Sequence, residues 1–302
     1  MQNLSSKRTD NIPLAVAAII LTVLALSLGD ALIKLTSGEF AIWQIFVLRS
    51  VLVLPVLVTL LRWRAPHAFC FPAVLGWTLL RSMMLVCMWV AYYVALPKLE
   101  LSIAAAAYYT LPIFITLFSA ALIGDRINAL GWGAVLVGFL GVLLILRPKA
   151  GDFNLYAILP LVSAVLYALA MILTRTKCRS VHPLVLSIAL NLGFIVVGAL
   201  ATLVVAIAPT ETRSGFFLMP WADMGEAEWL SMGLLATAIL IGSVGAAIAY
   251  QKGPPAIVGT FDFAYVGFAV VWGLVFFAEV PDFLTIIGMT MIVVAGAMSL
   301  RQ

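Results

Sequence analysis

The stretch that decides the fold is Leu101–Asp125, LSIAAAAYYTLPIFITLFSAALIGD. It carries no charge before its terminal acid. About 20 such residues at ~1.5 Å rise cross the roughly 30 Å hydrocarbon core of a bilayer. Small residues open the stretch, a Tyr-Tyr pair and Pro112 occupy its middle, and Asp125 closes it. A counterpart, Pro255–Glu279, PAIVGTFDFAYVGFAVVWGLVFFAE, ends in an acid 154 residues later.

The rest of the chain has the same character. Of 302 residues, 64% are hydrophobic and 10% charged, and the mean hydropathy is +1.16. A soluble domain carries about a quarter charged residues, so that class is excluded. The apolar residues run continuously without alternating, which argues against a β-barrel. What remains is an all-α polytopic membrane protein. The net charge of +4 is too diffuse for nucleic-acid binding and reads as the cationic flanks of membrane helices. Cys70, Cys87 and Cys178 show neither metal spacing nor a disulfide framework and are read as reduced. Lys7 and Arg8 precede an apolar run that continues past Leu28, so the N-terminal segment is read as a retained span.

Apolar runs broken by charge, proline and glycine give ten transmembrane spans, at 12–35, 40–61, 73–95, 99–122, 128–146, 154–174, 183–208, 229–250, 255–278 and 283–300. Short connections make successive spans antiparallel neighbours. The long exception, 209–228, holds Phe216, Phe217 and Trp221 among acids and is expected to lie at the membrane interface. With the N-terminus inside, ten Lys and Arg fall on the inner side and five on the outer. The positive-inside rule then places both termini in the cytoplasm.

The halves repeat. Asp125 and Glu279 are 154 apart, as are Lys98 and Lys252. After each acid comes a span with two glycines eight residues apart, Gly133 and Gly141 in one, Gly288 and Gly296 in the other. The chain is expected to divide into a five-helix repeat at 1–150 and another at 151–302. An odd number of spans sends the second repeat in from the opposite side, giving the inverted topology of many secondary transporters.

This arrangement resembles the drug/metabolite transporter superfamily and, within it, the EamA-type ten-helix transporters. The residues that carry the resemblance are Lys34, Arg49, YYTLP (Tyr108 to Pro112), GDR (Gly124 to Arg126), the run Gly131 to Ile145, and AEVPDFLTIIGMTMIVVAGAM in the second half. Two departures stand out: Asp125 replaces the usual Glu, and Val266 stands where the first half has Pro112. The missing proline counts against any mechanism that requires equal kinks in both halves. The resemblance implies alternating access in a bacterial inner membrane, with spans 1, 3, 4, 6, 8 and 9 lining a central cavity. Known members export amino acids or take part in moving nucleotide sugars, drugs and vitamins. The aromatic interior looks most like that of the YddG-type amino-acid exporters.

Two constellations stand out as candidate binding residues. Asp30, Arg49, Arg81 and Asp262 lie inside spans, where a charge must face protein or water. Asp30 and Asp262 are candidates to meet a substrate ammonium or carry a proton; the alternative is that they pair with Arg49 and lock helices together. Lys34 offers Asp30 a local partner at i+4. Arg49 is read as structural, and Arg81 as snorkelling toward the cytoplasmic end. The second constellation is aromatic: Trp89, Tyr92 and Tyr93 on nearly one face of span 3, Tyr108 and Tyr109 on span 4, Tyr167 on span 6, Tyr250 ending span 8, and Tyr265 on span 9. Each supplies apolar area with one polar tip, suited to an amphipathic or aromatic solute; ordinary packing or an interfacial belt is the alternative, strongest for Tyr250 beside Gln251 and Lys252.

Catalysis finds no support, since the chain has no Walker sequence, nucleophile–base pair or His cluster. No cofactor and no metal are expected. The partners expected are the lipid bilayer and a small-molecule substrate, with the chain a monomer. The leading reading is export of amino acids, aromatic ones included; a nucleotide-sugar, drug or vitamin carrier of the same fold is the alternative. A lipid flippase or a membrane-embedded enzyme stands behind both.

Overall fold

A computed structural model of the chain describes residues 10–36, 40–68, 74–95, 107–147, 155–207, 209, 215–278 and 280–301. Regular structure among these residues is helical. The helices are α1 (Ile12–Thr36), α2 (Ile42–Arg64), α3 (Leu75–Ala95), α4 (Leu111–Phe118), α5 (Ala129–Leu146), α6 (Ile158–Thr176) and α7 (Pro183–Ile207), then α8 (Glu226–Lys252), α9 (Pro255–Asp262), α10 (Ala264–Phe277) and α11 (Phe283–Ser299). Among the described residues, eight spans are long and apolar enough to cross a membrane, α9 and α10 counting as one; Leu111–Ile123 and Phe283–Ser299 are shorter apolar helices. Each of these ten helices falls within or overlaps one of the ten expected spans. Helices satisfy every backbone polar group internally, which is what lipid demands.

The packing is symmetric under exchange of the halves. The main partners are α5 with α11, α1 with α8, α2 with α7 and α3 with α6, followed by α1 with α10 and α4 with α6, and α4 also meets α9. Exchanging the halves converts the α1–α8 pair into the α6–α3 pair and the α1–α10 pair into the α6–α4 pair, and maps the others onto themselves. That is the signature of an inverted repeat.

Backbone details obey the same 154-residue offset. Gly124 (φ +81) ends the first-half helix in the left-handed region, and Ala278 (φ +54) ends its counterpart. Asn128 then caps α5 by accepting from the Gly131 amide at 2.9 Å, and Asp282 caps α11 by accepting from the Thr285 amide at 3.0 Å.

Neither member of the opening pair is a single helix. The first half breaks at Tyr109–Thr110, and α4 starts at Leu111 with Pro112 in its first turn, where the missing N–H costs nothing. The second half breaks at Phe263, between α9 and α10, without a proline. Both halves are therefore broken, with a proline at the break in the first half only. Phe263 is fully buried, and its ring occupies the space a Cβ on Gly138 would need. α4 also ends in a π-turn, Ser119–Ile123, with the Ser119 hydroxyl donating to Asp125. Lys98, Glu279 and residues 101–106 lie outside the described residues.

The connection before α8 is fastened to α2 and α7. Gly215–Leu218 forms one helical turn held against α2. The Trp43 indole donates to the Phe217 carbonyl at 2.8 Å. The Gln44 side chain donates to the Ala222 carbonyl at 2.8 Å and accepts from its amide at 2.9 Å. Trp221 donates to Thr202 at 3.1 Å. A side-chain amide with both a donor and an acceptor clamps the N–H and C=O of one residue together, and hydropathy alone does not reveal such a clamp.

The termini-bearing end is tied by Asp10. Its carboxylate accepts from both terminal nitrogens of Arg175 at 2.8 and 2.7 Å, and from Arg179 at 2.6 Å. The next residue, Asn11, donates its amide to the Lys252 carbonyl at 2.8 Å. Hydrogen bonding by Arg175 lowers the Asp10 pKa below the usual 3.8. A depressed carboxylate stabilises the fold fully above its unfolded pKa and loses that contribution as pH falls through the folded value. Asp10→Asn should therefore lower stability by about 1 kcal/mol or less at pH 7, given the partial exposure. Thermal melts of both proteins at pH 7 and near pH 3 check this, with the difference shrinking at the acid end.

Candidate functional site

Between the halves lies a cavity lined mainly by apolar and aromatic side chains. Its wall is built from α1, α3, the 107–111 segment, α6, α8 and the α9–α10 junction, the six spans expected, with Leu190 of α7 added. The broken helices deliver the chemistry. Tyr108 and Tyr109 sit at the break in the first half, and Asp262 and Tyr265 flank the break in the second. Backbone irregularity at membrane depth is tolerated where it faces protein or a cavity.

Asp30, Trp89, Tyr92, Tyr108, Tyr109, Tyr167, Asp262 and Tyr265 all face this space. Tyrosine rings form a continuous wall: Tyr92 to Tyr108 at 5.1 Å between centroids, Tyr108 to Tyr109 at 5.4 Å, and Tyr109 to Tyr265 at 5.3 Å. These are tilted or edge contacts, the geometry that ring quadrupoles favour. The wall ends at α1, where the Tyr265 hydroxyl donates to Asp30. Nearby, the Trp272 indole donates to Ser27 at 3.0 Å, a second link between α10 and α1.

Asp262 is held differently. The Tyr250 hydroxyl donates to one carboxylate oxygen, and Tyr167 donates to the other at 3.4 Å. Tyr250 is fully buried behind Asp262 and does not line the cavity. It is not an interfacial residue either, because its neighbour Gln251 plugs into the 178–181 turn, donating to the Cys178 and Val181 carbonyls at 2.8 Å. Tyr93 also departs from the expected face. One residue beyond Tyr92 is about 100° around a helix, which turns Tyr93 away from the cavity toward Phe46 and Phe216.

The carboxylates do not pair with Arg49. Its guanidinium is buried between the Phe46 and Phe194 rings, 5.0 and 4.7 Å from their centroids, a cation–π setting off the cavity. The side chain of Lys34 lies outside the described residues. Arg81 does not snorkel. It is 1% exposed, lines the cavity, and donates from Nε to the Thr174 hydroxyl at 2.5 Å. The missed signal was periodicity: Arg81, Leu85, Met88 and Tyr92 form one stripe of α3 along the cavity. Among the described residues no group of three His, Cys, Asp or Glu side chains is placed to hold a metal ion.

An inverted helical repeat enclosing a polar and aromatic cavity defines a polytopic membrane protein of the transporter class. Residues 13–147 match the model of the EamA-like transporter family. The chain is 30% identical to the pseudopaline exporter CntI of Pseudomonas aeruginosa, over 92% of this chain and 94% of that one. It is 26% identical to a riboflavin transporter of Rhizobium johnstonii, over 71% of this chain and 65% of the other. A crystallographically solved chain, 19% identical, superposes over 95% of both chains with a TM-score of 0.76 and shares the fold. This chain belongs to the EamA-like transporter family. Its named relatives carry pseudopaline and riboflavin, so the narrower likeness to amino-acid exporters is not what they point to.

Proposed function

We propose that the chain is a secondary transporter that exports small metabolites across a bacterial inner membrane, amino acids including aromatic ones being its leading substrates. Both termini lie in the cytoplasm in this reading, and the halves 1–150 and 151–302 rock against each other around the cavity. The observation that carries it is the composition of one wall: carboxylates at Asp30 and Asp262, a run of phenols between them, and the guanidinium of Arg81. Carboxylates suit an ammonium, a guanidinium suits a carboxylate, and stacked phenols suit an aromatic body. The proposed binding residues are Asp30, Trp89, Tyr92, Tyr108, Tyr109, Tyr167, Asp262 and Tyr265, with Tyr250 acting through Asp262.

A second reading, a vitamin carrier, is favoured by the relatives named for riboflavin transport and by the same aromatic wall. Arg81 also gives the cavity a cation for an anionic solute.

Counterflow in proteoliposomes separates these readings. Labelled phenylalanine should accumulate in vesicles preloaded with unlabelled amino acid, several-fold above protein-free vesicles. No accumulation of any amino acid, with riboflavin or a nucleotide sugar active, sinks the leading assignment.

A further inference from the structure

Resting on the reading of this cavity as the solute path, we infer that Arg81 is a carboxylate-binding subsite at the end of the cavity nearest the termini. Arg81 lies about two turns into α3, and Thr174, to which it is tied, lies in the last turn of α6. Both belong to the same end of the bundle as Asp10 and Lys252. The side chain is 1% exposed, yet its NH1 has no hydrogen-bond partner. Among the described residues no acid forms an ion pair with it.

A buried guanidinium without a counter-ion is costly to hold, because its desolvation is not offset. The bond to Thr174 satisfies Nε alone. It also fixes the plane of the guanidinium while NH1 stays free, which is the state a fork-shaped donor needs before an oxyanion arrives. Arg49 supplies the contrast within the same molecule. It too is buried with unpartnered nitrogens, but aromatic faces stabilise it and it does not line the cavity.

Spacing narrows the substrate class. Thr174 anchors Arg81, and Tyr167 reaches Asp262 from seven residues earlier on α6. Seven residues of helix rise about 10 Å, and helical side chains lean toward the N-terminus, so the long Tyr167 side chain widens the gap. The ammonium and carboxylate of one α-amino acid sit on a single carbon and do not bridge it. A solute held by its carboxylate at Arg81 therefore points its body along the tyrosine wall and leaves Asp262 to a proton or to a more distant cationic group of a longer solute.

The test uses purified full chain in proteoliposomes and three probes: L-phenylalanine, L-phenylalaninamide and riboflavin. The amide keeps the ring and ammonium and lacks only the carboxylate. Wild type should bind phenylalanine at least tenfold more tightly than the amide, measured by competition. Arg81→Gln should collapse that ratio to near one by weakening phenylalanine alone, and Arg81→Lys should keep part of it. Equal wild-type affinity for acid and amide overturns the inference, and this measurement needs no variant to fold. Equal weakening of both probes in Arg81→Gln overturns it too, assigning Arg81 to packing. Riboflavin movement without carboxylate preference overturns the subsite and leaves the cavity as the transport path. No movement of any probe overturns both.

Discussion

Asp262→Asn is expected to reduce amino-acid counterflow roughly 10- to 100-fold while leaving the fold almost unchanged in stability. The carboxylate is 4% exposed and accepts from Tyr250 on one oxygen and Tyr167 on the other. An asparagine keeps one acceptor, and the second tyrosine hydroxyl can turn to accept from the new NH2. The local network thus survives with its geometry, but the negative charge is gone. A hydrogen bond to a charged group contributes about 1.5–3 kcal/mol, which as lost solute or proton binding is roughly one to two powers of ten. The same variant separates two roles. If Asp262 carries a proton, the wild-type rate depends on pH and the variant's does not; if it only meets the solute, affinity falls and the pH profile keeps its shape. Unchanged counterflow with a lowered melting temperature would instead make Asp262 a helix lock.

Most of the architecture could be read from the chain because lipid imposes length and hydropathy on every span, and inverted repetition leaves matching punctuation. The offset that joins Asp125 to Glu279 in the sequence returns in the structure as paired left-handed caps at Gly124 and Ala278 and paired N-caps at Asn128 and Asp282. The break at Phe263 was not legible. Proline announces a break by its chemistry, whereas Phe263 is held by a ring seated against Gly138, 125 residues away in the chain. The Gln44–Ala222 clamp was hidden for the same reason: its two halves are 178 residues apart.

At the site, residue type and helical phase point to most of the cavity wall, and the failures come from phase. Trp89 and Tyr92 face inward, and Tyr93 stacks behind Trp89 at 5.3 Å. Tyr250 reads as a binding residue, with an interfacial place as the alternative, but Gln251 buries its amide in the adjacent turn and holds Tyr250 behind Asp262, off the cavity. Arg81 looked like a snorkelling flank because its depth was judged by distance from the span's end. Its place on the Leu85–Met88–Tyr92 stripe was the better guide.

Gly141→Leu is expected to destabilise the protein by about 2–3 kcal/mol, the cost of forcing a large side chain into a filled interface. α5 and α11 approach so closely that a Cβ on Gly141 would sit 2.7 Å from the Gly288 carbonyl oxygen, and a Cβ on Gly288 would sit 2.6 Å from the Gly141 oxygen. Each clash is with backbone, which cannot rotate aside, so the helices must separate. In lipid that separation forfeits van der Waals contact with no hydrophobic gain to replace it. A replaced glycine regains up to about 1 kcal/mol of helix propensity, too little to offset the clash. Gly133 is the internal control. It lies on the same interface, but a Cβ there meets only the terminal methyl of Met298, at 3.4 Å. Gly133→Ala should melt within a degree or two of wild type, and Gly141→Leu roughly 5–10 °C lower. No residue of α5 or α11 lines the cavity. Solute affinity in the folded fraction of Gly141→Leu should therefore match wild type, and an altered affinity would mean that this glycine contact also shapes the cavity.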